Sequence, residues 1–443
     1  MNGERALRKG FYGWRLVAAF WAIMAVNLAL PMYGLSFLNV YMADEFHFSR
    51  TTLAVAYALF MAMTGLPGPL VAKLIAKVGI RNTLALGNFL LAAAAAAMAT
   101  IVTTPVMLLL VAGIAIGTSD AIGGPIPAQA GVTFWFVRRR SLALAVVLSG
   151  GTIGGVVSAP LLEKVVAAAN GDWRYGWWLI AVFALLASAI SLLFVKDRPE
   201  DIGQSPDGGA ESALEEGVPA EAHNVRRRVH LTTQDWTSGQ VLRSPAFWLL
   251  MLCAVGFSGA YVIFLAQGAL QIRDLGYSLQ TAAYLLSAAV AIGLAAHMAA
   301  GYLGDRIDPQ YLWVAAMACQ ATGIVLFAHA NHPWLLYASV ALLGIGGSSS
   351  MVCMVTLLGN WFGARAYASV YGLASAVQST LGAAAPVLAG AYYDRFGTFT
   401  PVLYGVGIGC AAGAVLLLAL RPPVHPDAPL GAAFPADSTL LPD

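Results

Sequence analysis

Charge is what this chain has least of. Asp, Glu, Lys and Arg make up 10% of its 443 residues, against roughly 25% in an average soluble domain. With 59% hydrophobic residues, a water-soluble fold would leave far too much apolar surface exposed, whereas a chain dissolved in lipid meets no such difficulty. The mean hydropathy of +0.73 agrees. Cysteine is also scarce. Cys253, Cys319, Cys353 and Cys410 lie in apolar stretches and form no CxxC, which points to buried free thiols rather than a disulfide framework or a zinc site. No GxxxxGK[ST], HExxH or GxSxG occurs, so the sequence offers no ATP site of that kind, no metalloprotease motif and no hydrolase elbow. Neither a cofactor nor a metal is expected. A net charge of +2 without a groove-sized basic patch argues against nucleic acid.

What is present is long apolar runs. The polar start MNGERALRKG leads into an apolar stretch from Phe11 to Tyr41, interrupted only by Arg15. That stretch is too long for a signal-peptide core and suits a first membrane span. About 20 apolar residues cross the hydrocarbon core. Twelve segments qualify, near 14–40, 52–72, 83–103, 105–136, 141–168, 174–195, 245–271, 279–303, 310–329, 333–358, 366–392 and 399–420. They are rich in Ala, Leu and Val and show no period-2 alternation, so the expected fold is all-α and not a β-barrel. Orientation follows from the loops. With the N-terminus cytoplasmic, 19 of the 24 Lys and Arg fall inside, which places both termini in the cytoplasm.

Residues 196–243 form the one long polar stretch between spans. The sequence therefore divides into an N-terminal six-helix bundle (1–195), a cytoplasmic linker (196–243), a C-terminal six-helix bundle (244–420) and a Pro-rich, disordered tail (421–443). The halves repeat. Trp135-Phe136 is followed by Arg139 and, 25 residues past Trp135, by Pro160; Trp361-Phe362 is followed by Arg365 and, 25 residues past Trp361, by Pro386. Between each pair lies a helix full of small residues, which lets helices approach closely. Gly301-Tyr302-Leu303-Gly304-Asp305-Arg306 after the eighth span has a weaker copy, 72–81, after the second. Two like-oriented halves joined by a loop are a transporter plan, with the site between them near the midplane.

On these motifs the chain resembles the major facilitator superfamily, and GYLGDR at 301–306 resembles its loop motif. It is most similar to bacterial members of the monocarboxylate transporter and oxalate/formate antiporter group. The residues are Tyr12-Gly13-Trp14, Glu45-Phe46 with Ser49-Arg50, Trp135-Phe136 with Arg139-Arg140 and SGGTIGG, and Asp197-Arg198-Pro199-Glu200-Asp201 with Pro206-Asp207-Gly208. The resemblance implies twelve transmembrane helices in two pseudo-symmetric six-helix bundles, alternating access, and often proton-linked carriage of small carboxylates. It also implies a cytoplasmic gate of Asp305, Arg306, Arg139, Arg365 and Arg81. Three departures bear on the substrate. The eighth-span arginine usual in that group falls on His297, the seventh-span histidine falls on Gln267, and the eleventh-span lysine has no counterpart.

Ionisable groups inside a membrane are costly, about 2.5–3.5 kcal/mol each on insertion scales, and usually functional. Asp120 lies midway along the fourth span in GIAIGTSDAIGGPIP, where Gly117, Gly123, Gly124, Pro125 and Pro127 loosen the helix; His297 stands alone in the eighth. Both are candidate substrate or proton groups. Gln267, Gln378, Tyr33, Asn27, Tyr261 and Gln129 are neutral polar candidates for the same cavity, each equally suited to tie helices together. Trp135, Trp177 and Trp178 suit the interfacial belt. The expectation is a secondary transporter in the bacterial inner membrane, sufficient as a monomer, moving a small organic anion with protons by symport or exchange. Export of a neutral or cationic compound is the alternative; a non-transporting sensor would need a signalling domain for which the short linker and tail leave little room.

Overall fold

The computed structural model describes residues 11–208, 229–232, 234, 236–330 and 332–426, so the middle of the linker and most of the tail lie outside it. The described residues are helical almost throughout and contain no strand. Lipid offers backbone N–H and C=O groups no partner, so each span satisfies its own groups inside a helix.

Among the described residues, ten helices are long and apolar enough to cross a membrane. Twelve spans emerge once two broken helices are divided. Helix Pro333–Phe396 has 64 residues and turns back at Gly363, where φ is 76° and ψ 172°. Helix Gly68–Thr100 does the same at Gly79, with φ 85° and ψ 170°. Glycine adopts that backbone without the steric penalty a Cβ would bring. The two breaks separate the tenth span from the eleventh, just after Trp361-Phe362, and the second from the third, within the 72–81 motif. Helix Arg50–Met63 supplies the first part of the second span. The remaining long spans are Arg140–Ala168, Arg174–Phe194, Pro245–Asp274, Leu279–Gly304, Pro309–Ala328 and Thr400–Ala419.

Two spans of the first half are interrupted. The first consists of Gly13–Asn27 and Leu30–Phe46, with Pro31 opening the second piece. The fourth begins at Pro105, passes through a π-helical stretch at Leu109–Ile116, continues as Gly117–Gly123, breaks at Gly124 and resumes as Pro125–Trp135. The glycines and prolines around Asp120 therefore do loosen this helix, and the break falls four residues after the carboxyl.

Small residues set the helix spacing. A Cβ on Gly150 would collide with the Trp21 carbonyl, and one on Gly154 would lie 2.5 Å from that of Ala25, so the fifth span packs on the first backbone to backbone. Across the two halves, Gly68 and Gly372 bring the second and eleventh spans equally close, and Gly301 and Gly304 seat the eighth span on Ala145 and Ser141 of the fifth.

Burial corrects the reading of two tryptophans. Trp178 is 45% exposed, as an interfacial residue would be, but Trp135 and Trp177 are fully buried. Trp135 packs on the rings of Phe11 and Tyr12 and donates from Nε1 to the Lys196 carbonyl at 3.2 Å. Trp177 fills the space beside Gly34. Trp361 is buried too, so the repeated Trp-Phe pair belongs to the core of each half.

The ends of the polar linker are fastened. Asp197 accepts from the backbone N–H of Arg81 at 2.7 Å, beside the Gly79 break, and Gln204 accepts from Tyr12 N–H at 3.0 Å. Asp207 accepts from Val137 and Arg138 N–H at 3.0 and 2.7 Å. Residues 197–208 thus strap the turns of the first bundle. After residue 228, Thr232 N–H donates to the Asn360 carbonyl at 2.8 Å, and Trp236, 2% exposed, packs against Phe362 of the second bundle.

Candidate functional site

Asp120 lies mid-span and is 2% exposed. Asn27, at the end of the first helical piece, and Asn88 of the third span sit beside it, both fully buried. Asn88 is anchored: its Nδ2 donates to the Leu84 carbonyl at 2.9 Å and the Gly123 carbonyl at 3.0 Å. The amide of Asn27 bridges Asn88 Oδ1, 3.2 Å away, and Asp120 Oδ1, 2.7 Å away. No Lys, Arg or His forms an ion pair with Asp120 among the described residues. Three helices thus converge on one carboxyl through amides alone.

His297 is 6% exposed and lies where the eighth span meets the fifth and tenth. Its ring is close to the backbone carbonyls of Ala145 and Ser348, and its Nε2 has no hydrogen-bond partner among the described residues. It stands about two turns from the linker end of its helix, nearer that face than Asp120.

The neutral candidates divide. Gln129 is fully buried and joins the two bundles: Nε2 donates to Tyr371 Oη at 3.1 Å and Oε1 accepts from Tyr367 Oη at 2.9 Å. The charge of Asp120 reaches Tyr371, so the mid-span cluster and this bridge are neighbours. Gln378 turns to the sulfur of Met354 at 2.8 Å. Tyr261 packs its ring on Gly347. The side chains of Tyr33 and Gln267 lie outside the described residues.

At the linker face the bundles are sealed. Asp305 accepts from the backbone N–H groups of Ser141 and Leu142 at 2.8 and 3.2 Å, capping the fifth span of the opposite bundle. A carboxylate at a helix N-terminus meets both unpaired N–H groups and the positive end of the helix dipole. Burial nonetheless pushes the Asp305 carboxyl up to about 7, against the opposing pull of those two N–H groups. The guanidinium in the seam is that of Arg140. It donates from Nε to the Phe136 carbonyl at 3.1 Å and from Nη1 to Asn360 Oδ1 at 3.0 Å. Arg139 and Arg365, expected here, are exposed. Arg306 lies over the Tyr302 ring at 3.9 Å, and Arg81 meets Asp197 through its backbone. Below the seal lies a cavity of about 890 Å³ lined by Trp14, Arg138, Arg139, Asp305 and Arg306 among others.

Sequence reasoning did not single out Asn88, Asn360, Tyr367 or Tyr371, and it named Arg140 only as part of the family motif, not as a gate residue. Asn88 carried a signal, as an amide in an otherwise apolar span. Asn360 carried another, immediately before the repeated Trp-Phe pair. Nothing in the run Arg138-Arg139-Arg140 says which arginine turns inward.

Comparison with known proteins agrees with this architecture. The model of the Major Facilitator Superfamily matches residues 15–333 and 272–441. Monocarboxylate transporter 13 of Bos taurus is 25% identical over 414 residues, covering 93% of this chain and 90% of that protein. Among solved structures, the proton:xylose symporter XylE bound to 6-bromo-6-deoxy-D-glucose superposes with a TM-score of 0.69 at 15% identity, over 93% of this chain and 96% of that one. The human organic anion transporter MFSD10 gives 0.63 at 16% identity, over 91% and 97%. At such identities the structural likeness speaks for the fold. With its repeated halves, glycine-broken turns and inter-bundle seal, the chain belongs to the Major Facilitator Superfamily and is a multi-pass membrane transporter, not an enzyme.

Proposed function

We propose that the protein carries a small organic anion of the monocarboxylate kind, coupled to protons by symport or exchange, through alternating access of a site between the bundles. The observation that carries this reading is the mid-span carboxyl of Asp120, 2% exposed, held by amides and ion-paired with no cation among the described residues. A group of that kind in a membrane serves a proton or a cation. His297 supports the anion: its partnerless Nε2 lies in the seam, at the position where the resemblance places an arginine, and protonation would let it hold a carboxylate. The likeness to monocarboxylate transporter 13 over nearly the whole chain points the same way.

In this reading the linker face is cytoplasmic, both termini are inside, and the membrane is the bacterial inner membrane. Residues 1–195 and 244–420 are the moving bundles, 196–243 connects them, and one chain suffices. Asp305, Arg140 and Asn360 form the cytoplasmic gate, closed here, so the transport site faces outward.

The test is uptake into proteoliposomes of labelled monocarboxylates and amines across a pH series. Uptake of carboxylates that accelerates with external acid and stops with a protonophore is expected. A His297→Ala variant should lose most of it; an unchanged rate and pH profile would remove the histidine from the site. Carriage of amines with indifference to carboxylates would favour the second reading, export of a neutral or cationic compound. One observation speaks for that reading: the mid-span ionisable group that stands out in the first bundle, Asp120, is an acid.

A further inference from the structure

We infer that Asn27 and Asn88 form a hydrogen-bond relay that holds a proton on Asp120 and transmits its loss to the break in the fourth span. The inference rests on the reading of Asp120 as the proton carrier and starts from a conflict of donors and acceptors.

Which way a side-chain amide points is decided by its partners. Asn88 is fixed, because its Nδ2 donates to two carbonyls, those of Leu84 and Gly123. Its Oδ1 therefore faces Asn27 and needs a donor. If Asn27 Nδ2 supplies it, at 3.2 Å, Asn27 Oδ1 faces Asp120 Oδ1 at 2.7 Å. Two bare oxygens repel at that distance, but it is the usual length of an O–H···O bond. A proton on Asp120 completes the series: carboxyl O–H to Asn27 Oδ1, Asn27 Nδ2 to Asn88 Oδ1, Asn88 Nδ2 to the Gly123 carbonyl. Every side-chain donor in it then has an acceptor. The Asp120 backbone oxygen, 3.3 Å from the same Asn27 atom, is at ordinary van der Waals separation.

If Asp120 is ionised, the Asn27 amide must turn over to donate to it. Asn27 Oδ1 then meets Asn88 Oδ1 at 3.2 Å, and buried acceptors are left facing each other. Relief requires Asn88 to turn as well, which withdraws its Nδ2 from Gly123. That carbonyl belongs to the residue before the Gly124 break. Loss of the proton to solvent, by cleavage of the carboxyl O–H, thus loosens the tie between the third and fourth spans where the fourth already departs from helix.

The groups that bear on Asp120 are few. Tyr371 lies within electrostatic reach of the carboxyl from the opposite bundle. Tyr57 is on the second span, and Lys73, Lys77 and Arg81 occupy the linker end of the helices packed against it. None is ion-paired with it among the described residues.

The test is infrared spectroscopy of the purified full chain without substrate, so its outcome is independent of what is transported. A buried carboxylic-acid C=O band component is expected at neutral pH that is lost in D120N, distinct from any contribution of Asp305, which D120N leaves in place. Asn27→Ala should shift that band's frequency by removing its acceptor. The discriminating variant is Asn88→Ala, because the Asn88 side chain hydrogen-bonds to Asn27, Leu84 and Gly123 and not to Asp120. It frees Asn27 to turn, stabilises the ionised carboxyl, and should lower the pH at which the band disappears by about one unit, tenfold in proton affinity. Asn88→Ser serves if the alanine variant does not fold. Absence of a D120N-sensitive acid component in the wild type, or a midpoint of that component unmoved by both Asn88 variants, would overturn the relay.

Discussion

Arg140 of the fifth span donates from Nη1 to Asn360 Oδ1 of the tenth at 3.0 Å, with the two residues 5% and 3% exposed. The bond crosses from one bundle to the other beside the Asp305 cap, so opening the linker face must break it. Removing one partner of a buried charged hydrogen bond costs about 1.5–3 kcal/mol. Asn360→Ala is therefore expected to raise the linker-open population about tenfold or more. Alkylation of a Thr356→Cys reporter from the linker side, with the four native cysteines replaced, reads this directly. A rate equal to that of the parent would show that the bond does not hold the seam.

The Asp305 carboxyl gives the seal a pH dependence. When the seam is closed, burial raises it to about 7 from its ordinary 3.8. An acid raised in this way binds its proton more tightly in the closed form than in the open one. Closure then takes up a proton between these two values, and the stabilisation is fully present below the lower and lost as pH rises through the upper. Reporter alkylation, divided by that of the same cysteine in the unfolded chain to remove the rise of thiolate with pH, should increase in wild type from pH 5 to pH 8. In Asp305→Asn, which cannot titrate, the curve should flatten.

The approach of Gly68 and Gly372 permits no side chain. A Cβ on Gly372 would lie 2.5 Å from the Gly68 carbonyl, and overpacking of a tight contact costs about 1–3 kcal/mol. Gly372→Val should separate the second and eleventh spans, leave the linker face open and abolish transport, while the folded protein persists in detergent. Transport at the wild-type rate would mean that this contact is not part of the closed state.

Asp207 holds the turn between the fourth and fifth spans through two backbone N–H groups. Asp207→Ala leaves both without that acceptor and should lower the unfolding free energy by about 1–2 kcal/mol. Asp207→Asn retains a carbonyl acceptor and should lose less. Thermal unfolding of the purified variants measures the order, and equal stability of all three would deny the strap its role.

Much of the molecule was legible in its residues. Gly79 and Gly363 fall between apolar segments that length alone marks as spans, and Pro125 announces the break beside Asp120. The site was legible only in part. Asp120 and His297 stand out as ionisable groups in apolar helices, and both are buried. Gln129, one polar residue among several, proves to bridge the bundles through Tyr367 and Tyr371, whereas Gln378 turns to a methionine. Nothing within a single helix distinguishes the two cases, because the partner lies on a span more than 200 residues away for one and on the neighbouring span for the other.

The sequence by itself determined the number of spans, their helical character, the two-fold repeat and the family. These follow from constraints that act along the chain: a fixed hydrocarbon thickness, and backbone groups that must be satisfied within each segment. Only the tertiary structure decided which arginine of 138–140 enters the seam, that Trp135 and Trp177 face the core, and that Asn27 and Asn88 close on Asp120. Each depends on how one helix is rotated against another, which is settled by packing between residues far apart in the chain.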